Sequence, residues 1–257
     1  MSDHLDPFGA ASRARDPERL ATLERYRITT PSERGFDDIV MLATQICEMP
    51  VGLVSLVEAD RQWFKASVGF GLPETPLEQS VCAHALSSRK LLVIPDLTLD
   101  PRTRQNSLVT SAPFIRFYAG APLIAPNGHI LGTLCVIDTA PREAGLSPAQ
   151  ATGLAALARQ VVDLLELRRI GAALETQAAQ LQRSESKWRG LFEDLQEGFI
   201  LGEVIRDDSG RIIDWRYEEV NRAWGDLVGI PVEEAVGRTI RELIPGIEDS
   251  WVDEFAE

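Results

Sequence analysis

Two long apolar segments flank the tripeptide Pro126-Asn127-Gly128, and this feature most limits the folds open to the chain. The first segment is RFYAGAPLIA (116–125) and the second is HILGTLCVID (129–138). An Asn-Gly pair adopts the positive-φ turn that joins neighbouring antiparallel strands, so the pattern predicts a β-hairpin. An antiparallel sheet is therefore expected in this part of the chain.

Residue type and periodicity predict the elements before the hairpin. VGLVSLVE (51–58) is apolar and β-branched, which is typical of a central strand, and the turn Ala59-Asp60 leads to an antiparallel partner. Residues 95–110 are irregular. One helix has its apolar residues at steps of three and four, namely Phe36, Ile39, Val40, Ala43 and Ile46. The predicted strands are 51–58, 62–68 and 91–94, and the predicted helices are 17–27, 33–48 and 80–86.

A long helix is predicted from residue 148 to about residue 192. Ser147 can cap it, Pro148 suits the first helical position, and Gln150 stands three residues after the cap. Beyond residue 166 a heptad-like seam follows, made of Leu167, Ile170, Leu174, Gln177, Leu181, Ser184, Trp188 and Leu191. We expect this seam to join two parallel copies of the chain. For residues 150–166, a helix lying on its own sheet is an equally good interpretation.

Composition excludes several classes of function. The formal charge is −13, which disfavours nonspecific binding to nucleic acid or to an anionic membrane. Hydrophobic residues make up 44% of the chain, enough for packed cores. The apolar segments are shorter than the roughly 20 residues of a membrane helix, and residues 1–20 do not resemble a signal peptide.

The three cysteines, Cys47, Cys82 and Cys135, are odd in number and widely spaced. They favour neither a disulfide framework nor a zinc site, so we expect a cytoplasmic protein and no bound metal.

Residues 33–166 resemble a GAF domain, the small-molecule-sensing module of bacterial signalling proteins. The pieces that carry the resemblance are FKASVGFGLPETP, SVCAHAL, LLVIPDLTLDPR, IRFYAGAPL and GHILGTLCVID. The resemblance implies an α+β fold with about six antiparallel strands, helices packed behind the sheet and a ligand pocket in front.

Residues 187–257 resemble the first part of a PAS domain, as found in HWE-type histidine kinases. LFEDLQEGFILGEVIRDDSGRIIDWRYEEVNRAWGDLVG and GRTIRELIPG carry this resemblance. A PAS domain closes with three further strands, so a truncated PAS-like segment of a longer protein is expected. The predicted organisation is a flexible arm (1–16), a GAF domain (17–147), a coiled-coil-like signalling helix (148–192) and a partial PAS domain (193–257).

The GAF resemblance places candidate ligand contacts in front of the sheet. They are Trp63, Phe64, Cys82, His84, Asp96, Arg102, Phe117 and Tyr118, and the crossover also offers Asp100, Arg104 and Asn106. Bilin-binding GAF domains attach the chromophore through a Cys that is followed at once by His, whereas Ala83 separates Cys82 from His84. We therefore expect no bilin, and we expect neither haem nor flavin. The cyclic-nucleotide signature of some GAF domains is also missing.

An enzymatic alternative is the free methionine-R-sulfoxide reductase family, whose GVC segment resembles Ser80-Val81-Cys82. That chemistry needs a second thiol that can reach the first, and residues 60–81 and 83–134 contain no cysteine. We interpret Cys135 as a core residue and predict no catalytic residue. The expected function is the sensory input region of a histidine kinase, with a diguanylate cyclase or another output domain as the alternative.

Overall fold

The computed structural model describes residues 9–28 and 33–248, and the chain divides into two compact units, Met1–Ala173 and Leu174–Glu257. The described part of the first unit has an α+β fold around one six-stranded sheet in the order β3-β2-β1-β6-β5-β4, with antiparallel neighbours throughout. Its strands are β1 (Val51–Val57), β2 (Arg61–Val68), β3 (Glu74–Pro76), β4 (Leu92–Ile94), β5 (Phe117–Ile124) and β6 (Ile130–Asp138).

Both faces of this sheet are covered, by different kinds of structure. The helix face packs against α2, α3 and the first part of α5, and the loop face packs against α1, a 3₁₀ helix and the crossover 95–115. The helices of this unit are α1 (Ala10–Ala14), α2 (Pro17–Arg25), α3 (Arg34–Cys47), α4 (Ser107–Thr110) and the first part of α5 (Pro148–Asp194), which continues into the second unit, with 3₁₀ helices at Leu77–Gln79 and Cys82–Ser87.

The predicted hairpin is confirmed as β5–β6. The two strands pair from Phe117↔Asp138 to Ile124↔Ile130. Gly128 has a φ of 89°, and its N–H donates to the carbonyl of Ala125 at 2.8 Å. Because β6 also pairs along its length with β1, the hairpin lies in the middle of the sheet.

A β-bulge in β2 changes which side chains face the helices. Ser55 pairs with Phe64 and Val54 pairs with Ala66, so Lys65 is the extra residue. A bulge places two successive residues on one side of a strand. Lys65 and Ala66 accordingly both contact the helix face, and the Lys65 side chain is fully buried there.

Helix α5 begins where the sequence predicts. Ser147 N–H donates to the Gln150 side chain at 3.0 Å, and Gln150 N–H donates to Ser147 Oγ at 3.3 Å. Leu154, Ala158 and Val161 are buried against the sheet, which settles the interpretation of residues 150–166. Beyond Leu165 the apolar side chains of the helix are mostly exposed.

Several sequence-based expectations need correction. Residues 1–8 of the predicted flexible arm lie outside the described residues, but residues 10–14 form α1, with Ala10 and Ala14 buried on the loop face. In α3 the predicted apolar face is confirmed at Phe36, Ile39, Val40 and Ala43, but its last member is Cys47, which is buried, and not Ile46, which is 42% exposed. Helix α4 lies in residues 95–110, which the sequence pattern marked as irregular, and the short strand β3 was not predicted.

The second unit contains a β-hairpin followed by three short helices. The strands are β7 (Ile200–Arg206) and β8 (Ile212–Val220), and the helices are α6 (Arg222–Val228), α7 (Val232–Ala235) and α8 (Ile240–Leu243). Trp215, Tyr217 and Trp224 form the centre of its small core. Asn221 caps α6 by accepting a hydrogen bond from Trp224 N–H at 3.0 Å.

None of the helices in the described ranges is long and apolar enough to cross a membrane.

The close pairing of β1 with β6 predicts an asymmetric response to two glycine substitutions. A Cβ on Gly132 would lie 1.9 Å from the Ser55 carbonyl oxygen, whereas a Cβ on Gly171 in α5 would meet no atom within 4 Å. Gly132→Ala should lower the free energy of unfolding by about 1–3 kcal/mol through strain. Gly171→Ala should not lower it, because alanine favours helix over glycine by up to about 1 kcal/mol. Urea unfolding followed by circular dichroism measures both, and equal stability of the two variants would contradict the pairing.

Candidate functional site

The centre of the loop face holds a buried group of polar and sulfur-bearing side chains. Cys82 begins the 3₁₀ helix Cys82–Ser87, and its Sγ lies 3.8 Å from Cys135 Sγ on β6. The hydroxyls of Tyr118 and Thr133 lie 3.2 Å apart beside them. All four side chains are at most 2% exposed.

Gly120 makes room for the phenol in this group. Gly120 pairs with Cys135 across the sheet, and a Cβ on it would lie only 2.2 Å from the Tyr118 hydroxyl. Any larger residue at position 120 would have to displace the Tyr118 side chain. The local β5 sequence is thus adapted to a tyrosine lying flat along the sheet.

A second buried network, centred on Gln62, holds the start of the same 3₁₀ helix. Gln62 Oε1 accepts hydrogen bonds from Ser80 Oγ at 2.6 Å and Ser55 Oγ at 3.2 Å, and its Nε2 donates to Thr75 Oγ1 at 2.8 Å. Ser80 Oγ also accepts from Ala83 N–H at 3.1 Å. Sequence analysis missed these residues, because isolated Ser, Thr and Gln side chains give no signal until the strands are in register.

The two sulfur atoms influence each other's protonation. The hydrogen bond from Cys135 lowers the pKa of Cys82; hydroxyl groups of Thr133, Tyr118 and Ser55 act in the same direction, and burial opposes them. The pKa of Cys135 is raised well above its ordinary value by the same contact and by burial. Burial raises the pKa of Cys47, which lies on the helix face, to about 11.

Polar residues of the crossover mainly shape the crossover itself. Arg102 donates to Asp100 through two nitrogens, at 2.9 and 2.6 Å, and this pairing lowers the pKa of Asp100. Asp96 accepts from Thr98 N–H at 2.8 Å. The charge of His84 also contributes to lowering the pKa of Asp100, so this part of the 3₁₀ helix faces the crossover.

The predicted ligand contacts do not share one surface. Phe64, Cys82 and Tyr118 lie on the loop face, but Trp63 and Phe117 lie on the helix face. The reason is geometric, since successive residues of a strand point to opposite sides of the sheet. Ligand contact by the loop-face residues stays a prediction.

Trp63 instead borders an open cavity of about 320 Å³ beside α2 and the β1–β2 turn. Its walls include Leu20, Arg27, Ile28 and Glu58, and the indole Nε1 of Trp63 is buried without a hydrogen-bond partner among the described residues. The cavity is therefore lined by both apolar and charged side chains, with Leu20, Leu23 and Ile28 beside Glu24, Arg27 and Glu58.

A chain of ion pairs connects the sheet to α5. The fully buried Lys65 Nζ lies 2.7 Å from Glu33 Oε1, and Arg168 of α5 binds the same carboxylate oxygen. Two residues before Arg168, Glu166 pairs with Arg169 at 2.9 Å and accepts a hydrogen bond from the Tyr26 hydroxyl. These contacts hold α5 at the point where its exposed apolar seam begins.

A GAF domain family model matches residues 32–165, which is more than half of the chain. This chain belongs to the GAF domain family. The predicted GAF fold is therefore confirmed, together with the six-stranded sheet on which it depends.

One curated relative is a cyclic di-GMP phosphodiesterase of Pseudomonas aeruginosa. It is 46% identical over 111 residues, which are 43% of this chain and 19% of that protein. The match thus spans about a fifth of the relative's length.

Among solved structures, the GAF domain of an Acinetobacter phosphoenolpyruvate-protein phosphotransferase is similar, with a TM-score of 0.44 at 16% identity over 62% of this chain and 99% of that chain. Free methionine-R-sulfoxide reductase from Neisseria meningitidis gives a TM-score of 0.43 at 16% identity, over 63% and 86% of the two chains. A domain of a two-component sensor histidine kinase protein from Sinorhizobium meliloti gives 0.41 at 12% identity, over 55% and 94%.

Glu33 and Asp38 each form an ion pair. Because the Glu33 carboxylate is shared by two cations, we expect its loss to lower stability more than the loss of the Asp38 carboxylate. Glu33→Gln should lower the free energy of unfolding by about 1–3 kcal/mol, because it weakens the pairing of a buried ammonium group. Asp38→Asn is the matched control: it breaks an exposed pair with Arg34 at 3.8 Å and should change stability by less than about 1 kcal/mol.

Adding Lys65→Met to Glu33→Gln should recover part of the loss, because the buried charge is then removed. Urea unfolding curves compare all of these variants. Equal effects of Glu33→Gln and Asp38→Asn would show that the Lys65–Glu33 contact does not stabilise the fold.

Proposed function

We propose that this chain is the sensory input region of a signal-transduction protein. The GAF unit would respond to a small molecule or another cue at the loop face, and α5 would carry the response onward. The observation that most supports this is α5 itself. Its first part is buried against the sheet, and the same helix then continues to Asp194 with an exposed apolar stripe.

The ion pairs at Glu33 supply a route for the response. The same carboxylate binds Lys65 at the β2 bulge and Arg168 on α5, so a shift of β2 would alter the contact that holds the helix. A change in a sheet can be passed on in this way when the receiving element has two alternative packings. The polar residues Gln177 and Ser184 weaken the seam, so they would let the helix shift between two packings.

The second unit would receive or modify this response as a PAS-like module. Its hairpin, short helices and aromatic core are compatible with the sequence resemblance of residues 187–257 to the first part of a PAS domain. The three free cysteines favour a reducing compartment, so we propose that the protein acts in the cytoplasm.

Two output activities remain candidates for the parent protein. The resemblance of the PAS-like segment to HWE-type kinases favours a histidine kinase. The 46% identical relative, a cyclic di-GMP phosphodiesterase, favours an enzyme of cyclic di-GMP metabolism. Two assays on the parent protein, autophosphorylation from ATP and turnover of cyclic di-GMP, would separate the two.

A second copy of this chain is the partner that we propose for the seam of α5. The six apolar side chains of the seam are between 45% and 66% exposed, and the Trp188 ring lies tilted against the Phe192 ring of the same helix at a centroid distance of 5.9 Å. They are Leu167, Ile170, Leu174, Leu181, Trp188 and Leu191. Burying one such side chain contributes roughly 1.5–3 kcal/mol, so several from each copy can offset the cost of association.

The dimer is tested by placing charges inside and outside the seam. Leu174→Asp with Leu181→Asp should convert a dimer to a monomer, because unpaired carboxylates would be buried at the interface. Ala179→Asp with Ser186→Asp adds the same charge at exposed positions on the opposite side of the helix and should leave the dimer intact. Light scattering at micromolar concentration gives the mass of each variant.

A monomeric wild-type protein, or equal dissociation of both double variants, would contradict the proposed seam. A dimer that survives Leu174→Asp with Leu181→Asp would place the interface elsewhere. Neither outcome would alter the GAF fold of the first unit, whose core does not include the seam residues.

A further inference from the structure

The pairing of Cys82 with Cys135 joins two elements that are distant in sequence. The residues are 53 positions apart, and the two sulfur atoms are 3.8 Å apart in a buried environment. The sequence-based argument set Cys135 aside as a core residue, because it lies far from Cys82 along the chain. In the folded protein the partner is supplied by the central strand β6.

The geometry is close to that required for a disulfide. A disulfide needs a sulfur–sulfur distance of about 2.05 Å, so the two atoms must approach by about 1.7 Å. Cys135 is held by β1 on one side and β5 on the other. Cys82 begins a short 3₁₀ helix, which can shift more easily than the middle of a sheet.

The surroundings favour reaction at Cys82. The Cys135 thiol, 3.8 Å away, and the neighbouring hydroxyl groups of Thr133 and Tyr118 lower the pKa of Cys82, while burial opposes them. The thiolate is the reactive form of a cysteine. Cys47 provides an internal contrast, since it has no cysteine partner among the described residues and burial raises its pKa to about 11.

We propose that Cys82 and Cys135 are a reversible oxidation site whose oxidant is a small hydroperoxide. The Cys82 thiolate attacks the terminal oxygen of the hydroperoxide; an S–O bond forms, the O–O bond breaks, and the leaving alkoxide or hydroxide takes up a proton. Cys135 then attacks the sulfenic sulfur of Cys82. The S–S bond forms, the S–O bond breaks, and the released hydroxide leaves as water with the proton of Cys135.

Over these two reaction steps, the two thiols lose two electrons and the hydroperoxide gains them. A dithiol reductant reverses the reaction by attacking the disulfide through a mixed disulfide. Because both sulfur atoms are buried, only a small oxidant fits the proposal.

The disulfide would tie the 3₁₀ helix Cys82–Ser87 to the strand that supports α5. Leu134 and Val136, the neighbours of Cys135, point to the helix face and pack in the same core as Leu154 and Val161 of α5. A shift of β6 would therefore reach the helix directly. This consequence rests on the proposed function, whereas formation of the disulfide does not.

The oxidation site is tested on the wild-type chain. The protein is treated with hydrogen peroxide, free thiols are alkylated, and peptides are analysed by mass spectrometry without reduction. We expect a linked pair of peptides containing Cys82 and Cys135, which dithiothreitol separates. Cys47 should remain a free thiol after peroxide treatment and therefore be found alkylated. Cys82 should react more than roughly tenfold faster than Cys47 at neutral pH, because a pKa of about 11 leaves Cys47 protonated.

Two single variants complete the test. Cys135→Ser should abolish the link and leave a sulfenic acid on Cys82 that dimedone labels, whereas Cys47→Ser should leave the link unchanged. No linked peptide in the wild-type protein, or oxidation of Cys47 as fast as Cys82, would overturn the proposal even if a variant failed to fold. If the link forms and the α5 variants still fail to dissociate the dimer, the oxidation site stands and the proposed relay fails.

Discussion

The pairing of β1 with β6 is the interaction on which the rest of the first unit depends. Gly132 brings the two backbones together so closely that a Cβ would meet the Ser55 carbonyl oxygen at 1.9 Å. This contact sets the register of the central strands. Since side chains alternate along a strand, the register also decides which residues face the helices and which face the crossover.

The two faces have different physical character as a result. The helix face is an apolar core closed by α3 and α5, with one buried ammonium group, Lys65, held by Glu33. A buried charge of this kind is a weak source of stability but is strongly sensitive to loss of its partner. The loop face carries hydroxyls, an amide and two thiols in hydrogen-bonded contact. The helix face is suited to passing on movement, and the loop face is suited to chemistry or ligand contact.

Helix α5 changes its role along its length. It is a core element over its first turns and an exposed amphipathic helix afterwards. The change occurs near Leu165, beside the contacts of Glu166 and Arg168 with α2 and Glu33. An apolar stripe that is exposed in one copy of a chain is the usual mark of an interaction surface. The GAF family membership and the cyclic di-GMP phosphodiesterase relative both agree with a signalling role.

Features that depend on neighbours in sequence could be predicted from the sequence alone. The Asn127-Gly128 turn, the Ser147–Gln150 cap and the three- and four-residue spacing of the α5 seam each arise from contacts within a few residues. Family membership was also accessible, since the motifs that carry it are contiguous.

Features that depend on strand register were decided only by the tertiary structure. The bulge that buries Lys65 exists because β2 has one residue more than β1 across from it, and no local pattern marks that position. The same holds for the placement of Trp63 on the helix face and Phe64 on the loop face, and for the meeting of Cys82 with Cys135 across 53 positions. Local propensity fixes the type of each element, but the contacts between distant elements follow from how the whole sheet is buried, and these contacts build the candidate site.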